Sequence, residues 1–247
     1  VMIKRLVKLQ NLESLHLNCF TMSHQVMKTL LNFLTSKTSS KPLFNFITSK
    51  TSMKGIGLYN LKCSDHNTSC EGFNIDLSQL SDLRSLQLCD IPVSQLNINV
   101  SSLEECDVGE LYKPGGVSSY LSQLQTANKL QTFSCVRLTS PSDIETMLQT
   151  LPLLVHVKDI WLFYINLGDR SLTLSPEMVN IELVVLYKVT MTCSVLHNVI
   201  NVVNKLSHSV TIRMTDCDIK PETEFEQFKT FIKTSDRYKI GRASWSE

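Results

Sequence analysis

Long apolar runs are missing from this sequence. No stretch reaches the roughly 18 apolar residues that a membrane-spanning helix needs, because the best candidate, residues 151–167, carries Lys158 and Asp159. The net charge is only +1 over 247 residues, which offers no strongly charged surface to attract nucleic acid or an acidic membrane. These absences predict a chain that neither spans a membrane nor binds nucleic acid.

Closely paired cysteines are also missing. The eight cysteines are spread along the chain without a CxxC pair, which favours free thiols in a reducing cytoplasm over a disulfide framework. The chain also opens without a signal-peptide core, so either the protein is cytoplasmic, as we expect, or its true start is missing. Cys63, His66 and Cys70 leave a metal site open as an alternative, but zinc would need a fourth ligand. The simpler interpretation is a polar loop.

Catalytic signatures are absent as well. The chain contains no GxxxxGK[ST], GxGxxG, GxSxG or HExxH pattern, so phosphate-cradling loops, nucleophile elbows and zinc-protease helices are not indicated. Glu105 and Asp107 alternate on one expected strand, where paired carboxylates could serve acid–base chemistry, although no supporting group accompanies them. We expect a solvated acidic surface there, and a protein that is not an enzyme and binds no cofactor or metal.

The sequence does contain an internal repeat. Residues 12–20 (LESLHLNCF) and 83–91 (LRSLQLCDI) share the pattern LxxLxLxx followed by an apolar residue. Three of the seven spacings between copies are 27 residues, which chance does not readily produce. The copies, some of them weaker, start at residues 12, 56, 83, 103, 130, 157, 181 and 209.

The motif predicts a strand and the segments between copies predict helices. Alternation in LxL places one strand face inward, and stacking of neighbouring copies would bury a continuous apolar ladder. Pro141 and Asp143 mark a helix start before an apolar stripe at helical spacing. Further stripes run over residues 195–206 and 225–232, whereas the short spacings before Leu103 and Ile181 leave room only for loops or single turns.

One spacing is longer than the others. The sequence of residues 32–39 recurs at 45–52, 13 residues later, with Ile47 in place of Leu34 as the one difference. We interpret this as a tandem duplication accommodated as extra helix or loop; the alternative is a degenerate repeat of its own.

The pattern resembles the leucine-rich repeat (LRR) family, in its ribonuclease-inhibitor-like class. That resemblance covers roughly residues 5–235 and implies an α/β horseshoe of about eight repeats. Its parallel sheet would line the concave face, with helices and loops on the convex face. We expect a solenoid over residues 1–236 and a polar tail over residues 237–247.

The irregular repeats resemble the C-terminal LRR region of NACHT-LRR (NOD-like) innate immune receptors. The resemblance implies a ligand-sensing or protein-binding arm, and the start of the chain within the lead-in to a repeat suits a fragment of a longer receptor. A substrate-recruiting F-box LRR adaptor of a ubiquitin ligase is the alternative. An extracellular LRR receptor is disfavoured because the cysteine-rich caps of that class are missing.

Strand alternation predicts a binding surface on the concave face. The third, fifth and seventh positions of each copy should point away from the core, which in the second copy means Leu58, Asn60 and Lys62. Exposed aromatics on a rigid scaffold are typical of binding hot spots. A one-residue slip in register, or cover by the chain itself, would remove the surface. The candidate partner-binding residues are Trp161, Phe163, Val185 and Tyr187 as one contiguous patch, with Asp159, Glu105, Asp107 and Arg213 as charged candidates.

Overall fold

Five-residue strands recur along the chain at the positions of the LxL motif. The computed structural model describes residues 12–35, 53–64, 72–111 and 116–233, which contain eight of these main strands. Four belong to a compact N-terminal unit, residues 1–129, and four to a compact C-terminal unit, residues 130–247. The main strands are β1 (Ser14–Asn18), β3 (Gly55–Tyr59), β6 (Ser85–Cys89), β8 (Glu105–Gly109), β9 (Thr132–Val136), β10 (Asp159–Phe163), β12 (Leu183–Tyr187) and β14 (Thr211–Thr215).

The main strands pair in parallel with a constant register. Their order is β1-β3-β6-β8 in the N-terminal unit and β9-β10-β12-β14 in the C-terminal unit. Leu15 lies level with Ile56, and Ile160 with Val184, so the buried second and fourth residues of successive strands form continuous apolar rows. The first, third and fifth residues form the opposite side, here called the front face.

Additional strands and helices follow the main strands along the chain. The additional strands form the pairs β2-β4 and β5-β7 and the sheet β11-β13-β15. They are β2 (Thr21–Met22), β4 (Lys62–Cys63), β5 (Phe73–Leu77), β7 (Val93–Ile98), β11 (Asn166–Gly168), β13 (Thr190–Thr192) and β15 (Asp218–Lys220). The helices are α1 (His24–Thr35), α2 (Gly116–Leu124), α3 (Pro141–Thr150), α4 (Cys193–Val203) and α5 (Glu222–Lys233), and Leu151–Leu153 is a 3-10 turn.

Seven of the eight main strands end in the same left-handed turn. The residue directly after the strand has a positive φ, and its N–H continues the ladder: Asn60 donates to the Cys89 carbonyl and Tyr164 to the Tyr187 carbonyl, each at 2.9 Å. Most L-residues avoid this conformation, whereas Asn and Asp tolerate it. The seven residues are Cys19, Asn60, Asp90, Arg137, Tyr164, Lys188 and Asp216.

The structure confirms the helices expected near residues 141, 195 and 225. Helix α3 begins with Pro141 in its first turn, and its Met147 is fully buried. Helix α4 is capped by Thr192, whose hydroxyl accepts a hydrogen bond from the Val195 N–H at 3.4 Å. The short spacings hold no helix between β6 and β8 or between β10 and β12 within those fully described stretches, but the expectation of loops or single turns is only partly met, because β7 and β11 lie there.

The register expected for the second repeat is wrong. Gly55, Gly57 and Tyr59 occupy its front face, whereas Leu58 is buried at 1% exposure. The copy therefore starts at Met53 instead of Ile56. An apolar residue at both positions allowed two frames, and the frame that buries Met53, Ile56, Leu58 and Leu61 removes more apolar surface from water.

Several expectations concern residues that the structure does not describe. The second copy of the duplication, His66, Cys70 and the tail at 237–247 lie outside the described residues. None of the described helices combines the length and apolar character needed to cross a membrane.

Candidate functional site

The front face of the C-terminal unit brings the four patch residues together. Trp161 lies level with Val185, and Phe163 with Tyr187, on the adjacent parallel strands β10 and β12. The expected contiguity is thus confirmed. On the next strand, Arg213 lies level with Val185 and is exposed.

One member of the patch is less accessible than expected. Trp161, Phe163 and Tyr187 are half-buried, but Val185 is only 8% exposed. Its short side chain stands between the longer side chains of Trp161 and Arg213, so a partner would contact the aromatic rings first. Val185 supports the patch from below.

The aromatic rings form a connected cluster. The rings of Trp161 and Phe163 stack at 5.9 Å between centroids, and Phe163 meets Tyr187 edge-on at 6.1 Å. Tyr164, which the sequence did not single out, meets Tyr187 edge-on at 5.3 Å. These separations are typical of favourable aromatic pairs, so the cluster is held in shape before a partner arrives.

The indole nitrogen of Trp161 is a buried donor with no hydrogen-bond partner among the described residues. Leaving such a donor unpaired costs about 1–3 kcal/mol, and buried indole N–H groups usually find an acceptor.

Two cations flank the end of the cluster. The Arg137 guanidinium carbon lies 5.3 Å from the centre of the Tyr164 ring, and the Lys188 ammonium lies 5.5 Å from the centres of both Tyr164 and Tyr187. We call Arg137, Tyr164, Tyr187 and Lys188 the strand-end cluster. Arg137, Tyr164 and Lys188 all occupy the left-handed turn position. These three residues share the eighth position of their repeats, which carries no apolar signal in the sequence.

The opposite edge of this face is acidic. Asp159 is half-buried beside Leu183, and burial raises its pKa, with the charge of Glu182 adding to the rise and Lys158 opposing it. A nearby cation stabilises the charged form of a carboxylate whose pKa is raised by burial. Asp159 is therefore able to meet a basic group of a partner.

The other two acidic candidates lie on the front face of the N-terminal unit. Glu105 is exposed, but Asp107 is half-buried and its carboxylate accepts a hydrogen bond from the Tyr59 hydroxyl at 3.1 Å. Asp107 is thus engaged within the sheet, because the corrected register of the second repeat puts Tyr59 on the same face. The expectation of a simple solvated acidic pair is wrong for Asp107.

The described residues offer little nucleophilic chemistry. Cys193 lies 3.9 Å from His197, a proximity that the sequence analysis missed and that follows from i, i+4 spacing on α4. Burial raises the pKa of the Cys193 thiol, with Glu224 adding to the rise, so the thiol stays protonated at neutral pH. Burial also raises the pKa of Cys106, whose thiol contacts the Tyr120 hydroxyl. Neither cysteine has the lowered pKa of a reactive thiolate.

Comparison with known proteins gives no family: no protein-family model matches the chain, and no curated protein matches it.

Proposed function

We propose that this chain is a non-enzymatic leucine-rich-repeat module of the ribonuclease-inhibitor-like class, whose sheet binds a protein ligand. The constant register, the alternation of buried residues and the recurring left-handed turn after the strand support this assignment. Stacked repeats of this kind present an extended rigid surface, which is what such proteins use for recognition. The module would be the C-terminal arm of an intracellular innate immune receptor.

The observation that carries the binding role is the aromatic cluster on the front face of the C-terminal unit. It combines three half-buried rings with mutual ring contacts. Aromatic anchors in a preformed arrangement lose little conformational entropy on binding and dominate interface energies.

The test compares captured partners of three forms of the full chain by quantitative mass spectrometry: wild type, Trp161→Ala/Tyr187→Ala, and a matched control. The control is Leu153→Ala/Val179→Ala, which removes two large apolar side chains that are 50% and 61% exposed but lie outside the main strands. We expect partners that are kept by the control and lost by the patch variant.

For a purified partner, each aromatic truncation should cost about 2 kcal/mol or more of binding free energy, or about 30-fold in Kd. A folded patch variant that retains every wild-type partner at unchanged affinity would contradict the proposed site. Capture of ubiquitin-ligase subunits through the patch would favour the adaptor interpretation over the receptor arm.

A further inference from the structure

Acidic and basic side chains are distributed unevenly along the strands on the front face of the C-terminal unit. Asp159 and Glu182 stand at the edge where the strands begin, together with Lys158. Arg137 and Lys188 stand at the edge where the strands end, together with Asp216 on the outermost strand. Five residues of extended chain place the two edges roughly 16 Å apart, so the face has a net acidic edge, an aromatic middle that also carries the exposed Arg213, and a net basic edge.

Among the described residues, the ammonium group of Lys188 contacts aromatic rings and not acidic side chains. Its ammonium lies over Tyr164 and Tyr187, and within the described part of the chain it forms no ion pair, although Asp216 holds the corresponding position on the next strand. A cation over an aromatic face keeps its remaining N–H groups directed elsewhere and has lost part of its freedom. It is thus positioned in advance for an anion.

The backbone of the strand-end cluster is unusual for its residue types. Elsewhere the left-handed position is held by Cys19 and by Asn60, Asp90 and Asp216, the last three of which tolerate it, whereas three successive strands of the C-terminal unit place Arg137, Tyr164 and Lys188 there. Bulky residues in this conformation carry strain, and strain of this kind is concentrated at functional sites. The turn fixes where the side chains leave the sheet, next to the aromatic patch.

We propose that the strand-end cluster recognises carboxylates of an acidic peptide segment in the protein ligand, whose apolar residues pack on Trp161 and Phe163; this rests on the proposed function. The basic edge selects acidic groups, while the acidic edge disfavours a long polyanion. A nucleic acid would carry phosphates across Asp159 and Glu182, and the near-neutral chain offers it no extended basic track. A short acidic–apolar segment satisfies both edges.

The probe is a short acetylated peptide of alternating leucine and glutamate, compared with twins that carry glutamine or lysine in place of glutamate. Binding to the full ¹⁵N-labelled chain is followed by NMR, through the Trp161 indole N–H and the backbone amides of Tyr164 and Lys188. We expect the glutamate peptide to shift all three signals and to bind more tightly than either twin. The preference should shrink as salt screens the charges.

Variants at the basic edge test the cluster itself. Lys188→Gln should weaken binding of the glutamate peptide about two- to fivefold, the range of an exposed ion pair, and Lys188→Glu should weaken it about tenfold or more. Asp216→Asn should strengthen it, because a competing negative charge is removed. Lys205→Glu, a charge reversal at an exposed lysine beyond the end of α4, is the matched control and should leave the affinity unchanged.

The outcomes separate this inference from the proposed function. If the glutamine twin binds equally well, or Lys188→Gln has no effect, carboxylate recognition is overturned even when the Trp161→Ala/Tyr187→Ala variant loses its partners. If the glutamate peptide depends on Lys188 but no partner depends on the aromatic patch, the proposed function fails and the anion site stands alone. If a short oligothymidylate shifts the same signals and binds more tightly than the glutamate peptide, the inference is overturned in favour of nucleic acid.

Discussion

The hydroxyl of Tyr59 donates a hydrogen bond of 3.1 Å to a carboxylate oxygen of Asp107, although the two residues lie on strands that do not pair with each other. Strand β6 runs between them, so the tyrosine ring reaches over Cys89. The bond connects three consecutive main strands of the N-terminal unit on their front face. It also explains why Asp107 is a structural residue.

Tyr59→Phe should show how this bond responds to alkali. Burial, and after it the charge of Asp107, raises the pKa of Tyr59, so the folded phenol keeps its proton above pH 10, where an unfolded tyrosine loses it. The folded state then binds more protons, and the free energy of unfolding that Tyr59 contributes is lost as pH rises above about 10. Denaturant unfolding of both proteins between about pH 9 and pH 11 should show their difference shrinking. A constant difference would contradict the raised pKa.

Two neighbouring residues on opposite sides of β10 test the register. Leu162 is fully buried and Trp161 is half-buried on the front face. Leu162→Ala should therefore lower the free energy of unfolding by about 3 kcal/mol or more, and Trp161→Ala by about 1–2 kcal/mol. Urea unfolding of the two variants measures both values. If Trp161→Ala lowered the free energy of unfolding more than Leu162→Ala, the buried and front faces of β10 would have to be exchanged.

Two glycines distinguish tight packing from free space. A Cβ at Gly109 would collide with the Cys89 sulfur and would lie 2.9 Å from the main-chain α-carbon of Cys89, whereas at Gly116 the nearest atom is 3.4 Å away. Gly109→Ala should cost about 1–3 kcal/mol of stability, and Gly116→Ala, at the start of α2, should be neutral or stabilising. Melting temperatures would reveal this contrast. Adding Cys89→Gly to Gly109→Ala should restore part of the loss, because the colliding side chain is removed and only the main chain of residue 89 stays close.

The left-handed turn predicts an inverted ranking of Gly and Ala at Lys188. Elsewhere in folded chains Ala is usually the more stabilising residue, but at φ 51 a Cβ is strained. Lys188→Gly should therefore be more stable than Lys188→Ala by about 0.5–1 kcal/mol, after allowing for the entropy of glycine in the unfolded chain. Chemical denaturation of the two variants measures this difference in the free energy of unfolding. Equal or reversed stabilities would show that the turn relaxes freely.

The sequence was sufficient for the main strands other than β3 and for the helices with long apolar stripes, but the seven additional strands were not predicted. Copies such as residues 157–165 have a clear apolar residue at each buried position, so their frame was correctly assigned. The second copy was ambiguous, because Met53 and Ile56 both qualify as a start. Tyr59, apolar in its ring, was assigned to the core although its hydroxyl has a partner on the front face.

The basic part of the site could not be found by hydrophobic patterning. Arg137, Tyr164 and Lys188 follow the strands at positions that carry no apolar signal, and only the backbone turn brings them into line. The contacts of Arg137 and Lys188 with the Tyr164 ring depend on parallel pairing of segments 24–27 residues apart. A pattern within one copy does not contain that information.

The parallel register also has a kinetic consequence. Within each unit, a main strand pairs with a strand 20 to 41 residues away, from Ser85 with Glu105 to Ser14 with Gly55, so the loops closed during folding are set by repeat length and not by chain length. The longest of these intervals contains the 13-residue duplication. Because closure entropy grows only with the logarithm of loop length, the added segment costs about 0.3 kcal/mol. The chain could therefore acquire the duplication without slowing the assembly of any other pair of strands.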